Sequence, residues 1–78
     1  MKEIDLRKNI YQLTEEYPEL IEIFKKLGFL GIAVPAVRKT LGRKTTLPEG
    51  CRKQDKDLTM VINHLEKLGY TVTNKDSG

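Results

Sequence analysis

Glycine and proline residues divide this chain of 78 residues into segments that are long enough only for short helices. Pro18 interrupts one apolar pattern and suits the first turn of a new helix, because proline disfavours helix in the residue before it. Gly28 and Gly69 each follow a lysine–leucine pair and precede an aromatic residue, which is typical of a left-handed helix end. This punctuation predicts short helices joined by tight turns.

Between these breaks, apolar side chains recur at helical spacing. The three clearest stripes are Ile10, Leu13 and Tyr17; Leu20, Ile21, Phe24 and Leu27; and Leu58, Val61, Ile62, Leu65 and Leu68. Asn9 is a suitable N-cap for the first helix, and Asp55 or Asp57 for the last. Two shorter helices are predicted, one opening at Pro35 and one at Thr46, which fits the first position of a capping box.

The expected fold is therefore all-α, a compact orthogonal bundle of about five helices, two of them short. Residues 1–73 are predicted to form a single helical domain, followed by a frayed C-terminal tail at residues 74–78. Residues 70–73 predict a brief extended piece that is too short to pair with another strand.

Several protein classes are excluded by simple counts. No apolar run approaches the roughly 18 residues that a membrane helix needs, and the first residues lack the apolar stretch of a secretory signal. The single cysteine cannot form an internal disulfide, and with the single histidine it cannot complete a tetrahedral zinc site. We expect a cytoplasmic protein that binds no cofactor and no metal and does not enter a membrane.

The residues offer little for catalysis, so we expect a protein that is not an enzyme. Cys51 and His64 lack the third group that would orient a nucleophile and its base, and no glycine-rich phosphate loop is present. Cys51 lies on the predicted inner face of its helix, where a lone cysteine acts as a small apolar side chain. The alternative is a reactive thiol whose pKa is lowered by Arg52 and Lys53.

Positive charge is concentrated in the basic segment, residues 38–56. It holds seven basic and two acidic side chains, a net charge of +5, whereas the whole chain carries +3. Such a segment suits an acidic partner or phosphate. Nucleic-acid binding is the less favoured interpretation, because residues 30–69 contain no aromatic side chain on which a base could stack.

The stretch from Phe29 to Val37 is unusually apolar, with seven apolar residues out of nine. One interpretation places all of them in the core, and the other exposes part of them to a protein partner or to a second copy of the chain. We take the second as the leading hypothesis. The candidate partner-binding residues are Phe29, Leu30, Gly31, Ile32, Val34, Arg38 and Arg43.

The order of the short motifs resembles a known family. Tyr-Pro-Glu-Leu at 17–20 is followed by Leu-Gly-Phe at 27–29, a loop that ends at Pro35, Thr-Leu-Pro-Glu-Gly-Cys at 46–51 and Val-Ile-Asn-His-Leu at 61–65. This pattern resembles small bacterial and archaeal helical domains of unknown function that are related to hybrid-cluster-protein-associated redox disulfide domains. It is more distantly similar to the N-terminal domain of iron–sulfur cluster repair proteins of the di-iron, hemerythrin-like type.

The chain departs from these relatives at their cysteines. The redox domains carry a Cys-x-x-Cys pair where this chain has Gly31 and Val34, and the adjacent cysteines of the repair proteins are also missing. Cys51 matches a further cysteine of that branch, but alone. Since a disulfide needs two thiols, the resemblance implies the fold and an interaction or sensing accessory role. A degenerate redox or cofactor accessory that uses Cys51, and nucleic-acid binding through residues 38–56, remain the alternatives.

Overall fold

The computed structural model describes residues 2–75 and confirms the predicted all-α fold, a bundle of short helices. A two-stranded parallel sheet is added to it. The elements in chain order are β1 (Lys2–Asp5), α1 (Ile10–Glu16), α2 (Leu20–Lys26), a first 3-10 turn (Leu30–Ala33), α3 (Pro35–Thr40), a second 3-10 turn (Leu41–Arg43), α4 (Leu47–Lys53), α5 (Leu58–Lys67) and β2 (Tyr70–Thr73). Within the described residues, no helix has the length and apolar character that crossing a membrane requires.

Two capping boxes lie side by side and join the starts of α1 and α4. The Asn9 side chain accepts a hydrogen bond from Gln12 N at 2.8 Å, and the Gln12 side chain accepts one from Asn9 N at 3.0 Å. α4 begins with the same arrangement at Thr46, as predicted. Ile10 N donates to Thr45 O at 2.8 Å, so the two helix starts are held together by the backbone.

The sheet is the element that the sequence did not predict. β1 and β2 pair in parallel, with Ile4 opposite Val72 and both side chains buried. The prediction that residues 70–73 are too short to pair is therefore wrong. Only Ile4 of β1 points fully inward, so the alternation by which a strand is normally recognised is not present there.

Past β2, the first two residues of the predicted tail contact the domain. Asn74 Nδ2 donates to Asp5 Oδ1 at 2.7 Å, and Lys75 Nζ donates to Glu66 Oε2 at 2.7 Å. The rest of the predicted tail, residues 76–78, lies outside the described residues.

The core is formed by the inward faces of α1, α2, α4 and α5, by three inward strand residues and by Leu6 and Phe29. Its members are Ile4, Leu6, Ile10, Leu13, Leu20, Phe24, Phe29, Leu47, Cys51, Val61, Ile62, Leu65, Tyr70 and Val72. The stripe of α5 stops one turn earlier than predicted, since Leu68 is half-exposed. α2 also begins later than Pro18, because Pro18 and Glu19 form the turn that leads into it.

Both predicted left-handed glycines end their helices as expected. Gly28 has φ +101° and Gly69 has φ +99°. After α2, Gly28 N donates to Lys25 O at 3.0 Å and Phe29 N donates to Phe24 O at 2.9 Å, which are the two bonds of a Schellman motif. The glycines differ in their surroundings. A Cβ on Gly28 would meet Lys56 Nζ at 2.5 Å, whereas one on Gly69 would meet no atom within 4 Å.

This difference makes the two glycines a matched pair for measuring helix-end strain. We expect Gly69→Ala to lower the free energy of unfolding by about 1–2 kcal/mol, the cost of a left-handed non-glycine residue. Gly28→Ala is expected to lose more, because Lys56 must also leave its position over the Phe29 ring. Urea unfolding measures both, and the extra loss should vanish in a Lys56→Ala background. Equal losses in the wild-type background would contradict this account.

A polar cluster fastens β1 and β2 to the start of α2. Glu19 Oε2 accepts hydrogen bonds from Lys2 Nζ at 2.8 Å and from the Tyr70 hydroxyl at 2.7 Å. The Lys2 bond and then the Tyr70 bond lower the pKa of Glu19 to about 2, and burial raises the pKa of Tyr70. The Tyr17 ring meets the Tyr70 ring edge-on, with centroids 5.8 Å apart.

The lowered pKa of Glu19 predicts a defined acid sensitivity. A carboxyl group whose pKa is lower in the folded than in the unfolded state stabilises the fold above its ordinary value near 4.5, and this stabilisation is lost as pH falls toward 2. We therefore expect wild type to be more stable than Glu19→Gln in urea at pH 7, with the difference shrinking between pH 4.5 and 2. Glu22→Gln, an exposed change in the first turn of α2, serves as the control. A difference that stays constant with pH would contradict the assignment.

Candidate functional site

The apolar stretch after α2 divides into one buried residue and several exposed ones. Phe29 is only 2% exposed, and its ring meets Phe24 edge-on with centroids 6.0 Å apart. Leu30 is 66% exposed and Val34 is 47% exposed. Phe29 is therefore a correction to the candidate partner-binding residues, because the Schellman turn directs its side chain into the core.

Leu30 and Val34 belong to what we call the exposed segment, residues 30–43. Leu41, in the second 3-10 turn, is 60% exposed. Ile32 is half-buried and Gly31 is exposed. This segment therefore exposes three large apolar side chains to solvent, where they add little to the stability of the fold.

A pocket of about 210 Å³ opens beside the exposed segment. Its wall is formed by α1, both 3-10 turns, α3 and α4, so it depends on the whole arrangement of short helices. The apolar lining is Ile10, Phe29, Ile32, Val37 and Leu41. Phe29 therefore contributes its ring to the pocket wall, although the side chain is almost fully buried.

Gly50 is the residue that keeps this pocket open on the side of α4. It is buried in the middle of the helix and lines the pocket. A Cβ at this position would lie 3.8 Å from Phe29 Cε1 and 3.7 Å from Thr45 Cγ2, which is ordinary contact. Glycine inside a helix is less stable than alanine by about 0.5–1 kcal/mol. The helix therefore loses stability at this position, where a methyl group would fit but would narrow the pocket.

Arg38 is one of the two charged side chains that line the pocket. Its Nη1 donates to Ile32 O at 2.9 Å, which holds the guanidinium against the first 3-10 turn. Its Nε is buried and has no hydrogen-bond partner among the described residues. Buried N–H groups are nearly always paired, so an unpartnered nitrogen at this position is unusual.

The structure places side chains of the basic segment at two depressions. Arg38 and Lys53 line the pocket, and the guanidinium of Arg43 lies 4.6 Å from the centre of the Tyr11 ring. Arg52 and Lys56 instead line a second, shallower depression. The side of the domain that carries the pocket therefore has its own set of positive charges.

Cys51 lies at the base of that second depression, and the structure places its side chain in the core. It is 1% exposed, and burial raises the pKa of its thiol, although the charge of Lys56 acts in the opposite direction. A raised pKa disfavours the thiolate, which is the reactive form. The geometry therefore does not support the alternative hypothesis that Cys51 is a reactive thiol.

Other chemistry-bearing residues stay apart. Residues 2–75 hold no group of three His, Cys, Asp or Glu side chains that could bind a metal ion. His64 is exposed on α5. Glu49 is engaged in the capping box, where the Thr46 backbone N–H lowers its pKa.

The sequence analysis found the exposed segment but missed the pocket. Of the pocket residues, only Phe29, Gly31, Ile32 and Arg38 were among the candidates. Ile10 was assigned to a helix face, Val37 to the apolar stretch that begins at Phe29, and Lys53 only to the basic segment. The one signal that could have been used is Gly50, since a glycine after a strong capping box is out of place in a helix.

Comparisons with known proteins agree with this fold. Residues 4–62 match the family model described as "Domain of unknown function (DUF1858)". The structure is similar to that described as "the crystal structure of the conserved domain protein from Streptococcus pneumoniae TIGR4", with a TM-score of 0.88 and 32% sequence identity. The similarity covers 92% of this chain and 91% of that one. No curated protein matches the sequence.

Burial of Cys51 predicts strong protection of its thiol. We expect Ellman's reagent to label the native protein at least about a hundredfold more slowly than the urea-unfolded protein, because labelling needs transient opening. The matched control is Arg52→Cys in a Cys51→Ser background, which moves the thiol to an exposed neighbouring position. If the wild-type protein reacts as fast as this control, Cys51 is accessible and the reactive-thiol hypothesis regains its basis.

Proposed function

The chain belongs to the family of domains of unknown function described as DUF1858, and we propose that this member is a non-enzymatic accessory domain that binds an acidic protein partner in the cytoplasm. The contact surface is the exposed segment together with the pocket beside it. The observation that carries the proposal is the exposure of Leu30, Val34 and Leu41 within this one stretch. Contiguous exposed apolar side chains are typical of interaction sites.

Charge indicates what kind of partner fits this surface. Arg38, Lys39 and Arg43 accompany the exposed apolar side chains, and the segment itself contains no acidic residue. Opposite charges across an interface speed association and exclude wrong partners. An acidic protein surface with apolar side chains is therefore the complementary partner.

The same charges argue against self-association through this surface. In a two-fold symmetric dimer the same patch meets its own copy, so the basic residues of one chain would face those of the other. None of Arg38, Lys39 and Arg43 forms an ion pair with a carboxylate within residues 2–75 that would relieve this repulsion. A different, acidic partner is favoured over a homodimer.

The relation to redox and iron–sulfur repair proteins remains a hypothesis based on resemblance. The positions at which the redox relatives carry their cysteine pair are Gly31 and Val34 here, and both are exposed. This surface thus offers apolar contact where those relatives offer thiols. A redox role through Cys51 would need the buried thiol to become accessible.

Nucleic-acid binding through residues 38–56 is less well supported than protein binding. Arg52 and Lys56 lie at a different depression from Arg38 and Lys53. The Tyr11 ring already has Arg43 on one face. A groove with stacking rings, as single-strand binding requires, is not found along the exposed segment.

The proposal is tested by photo-crosslinking in the cells that make the protein. A benzophenone amino acid replaces Leu30 in one variant and Met60 in another, and both positions are strongly exposed. We expect the position 30 variant to give a discrete adduct with an acidic protein. The position 60 variant on α5 should not give that adduct.

A paired substitution then shows whether the exposed apolar side chains cause the binding. Leu30→Ser with Val34→Ser should weaken the captured complex by at least about tenfold in titration calorimetry, the loss expected for removing two interface side chains. Met60→Ser with Leu68→Ser removes comparable apolar surface from α5 and should leave affinity unchanged. An adduct with a second copy of the chain, or identical adducts at positions 30 and 60, would overturn the proposal.

A further inference from the structure

We infer that the pocket is an anchor site for a peptide segment of the partner in which one apolar side chain has a carboxylate beside it. The apolar side chain enters between Ile32, Val37 and Leu41, and the carboxylate pairs with Arg38 and Lys53 at the rim. This inference rests on the proposed function, because it states what the partner presents to the surface. It can nevertheless be tested with simple probes that do not require the partner.

The size of the pocket suits one side chain. A dry cavity of about 150 Å³ admits a benzene molecule, so a pocket of about 210 Å³ has room for the ring of phenylalanine or the branched end of leucine. Sites for complete small-molecule ligands are larger, about 300–1,000 Å³. An anchoring side chain from a protein is therefore the better fit.

The lining determines the chemistry of that side chain. Most of the wall is apolar, and the two charged side chains in the lining, Arg38 and Lys53, are both cations. Within the described residues, no carboxylate lines the pocket. An apolar group alone would leave these cations without a partner, and an acid alone would leave the apolar wall in water.

Arg38 specifies a carboxylate rather than a neutral acceptor. Its Nη1 is already engaged by Ile32 O, which fixes the guanidinium plane, while its Nε is buried without a partner. A carboxylate that pairs with the guanidinium forms a charge-assisted bond, which is about twice as strong as a neutral one. The guanidinium is thus held in place before the ligand arrives, and less side-chain entropy is lost on binding.

Gly50 gives independent support for an occupied pocket. Its missing side chain keeps open the space between Phe29 and Thr45, and alanine would fill it at ordinary contact distance. The helix could thus gain stability by closing the pocket. A Gly50→Ala substitution should therefore make the protein more stable and the pocket smaller, which is the sharpest test of the inference.

The first experiment is a titration with small probes, followed by ¹H–¹⁵N correlation spectra. The probes are 3-phenylpropionate, its amide, which has the same shape without charge, and glutarate, which has charge without the ring. We expect 3-phenylpropionate to shift the backbone amides of Gly31, Gly42 and Gly50 and the Arg38 Nε–H signal. The amide and glutarate should bind at least about tenfold more weakly, and Gly69 should not shift.

Three variants connect the shifts to the named residues. Gly50→Ala should raise the melting temperature and weaken 3-phenylpropionate binding, so that the loss cannot be ascribed to unfolding. Arg38→Gln should weaken binding by about tenfold and reduce the preference for the acid over its amide to the part that Lys53 supplies. Lys53→Gln should weaken binding in a salt-dependent way, whereas Lys67→Gln, the same charge change on α5, should have no effect.

A titration with two peptides shows whether the ligand is a protein segment or a free small carboxylate. Acetyl-Glu-Phe-Glu-amide should produce the same shifts as 3-phenylpropionate, and acetyl-Lys-Phe-Lys-amide should not. Binding of 3-phenylpropionate without binding of the acidic peptide would overturn the inference in favour of a free small carboxylate. If neither binds, or if Gly50→Ala binds as well as wild type, the anchor site is refuted.

These outcomes are separable from those of the proposed function. A partner captured at position 30 with no probe binding would refute the anchor site and leave the accessory role intact. Binding of the probe and the acidic peptide without a captured partner would refute the accessory role and leave the anchor site intact.

Discussion

Burial of Phe29 immediately after α2 is the contact on which the outer surface depends. The Phe29 N–H bonds to Phe24 O at 2.9 Å and the two rings meet edge-on, so Gly28 must adopt its left-handed conformation between them. The residues that follow form a 3-10 turn that leaves Leu30 and Val34 in solvent, while Ile32 packs partly against the core. The same ring then closes the pocket from below. One side chain thus decides both where the core ends and where the exposed segment begins.

Elements governed by local rules could be predicted from the sequence. The caps at Asn9 and Thr46, and the endings at Gly28 and Gly69, depend on contacts between residues a few positions apart. For the same reason the helical stripes gave most of the core correctly. Local rules failed only at their margins, as at Leu68, where the helix end turns the last apolar side chain toward solvent.

The rest depends on which parts of the chain meet, and this is not written in any short window. β1 and β2 come from opposite ends of the described chain, and β1, with only Ile4 fully inward, shows no strand pattern that would identify it as the partner of β2. Phe29 and Leu30 are alike in apolar character, yet one is buried and the other exposed. The pocket combines residues from α1, α3, α4 and both 3-10 turns, so Arg38 and Lys53 become neighbours of one cavity only after the helices have packed. The sequence showed which side chains are apolar or charged, but not which of them lie together in the folded domain.

The parallel pairing of β1 with β2 has a mechanical consequence. The chain enters at the start of β1 and leaves at the end of β2, so tension applied through the two ends pulls these strands along their length in opposite directions. In this geometry the inter-strand hydrogen bonds share the load and must yield together rather than open one after another. The Lys2–Glu19–Tyr70 cluster lies across the same junction and adds further bonds in parallel with them. The paired strands and the polar cluster thus resist stretching of the domain, although helices make up most of its structure.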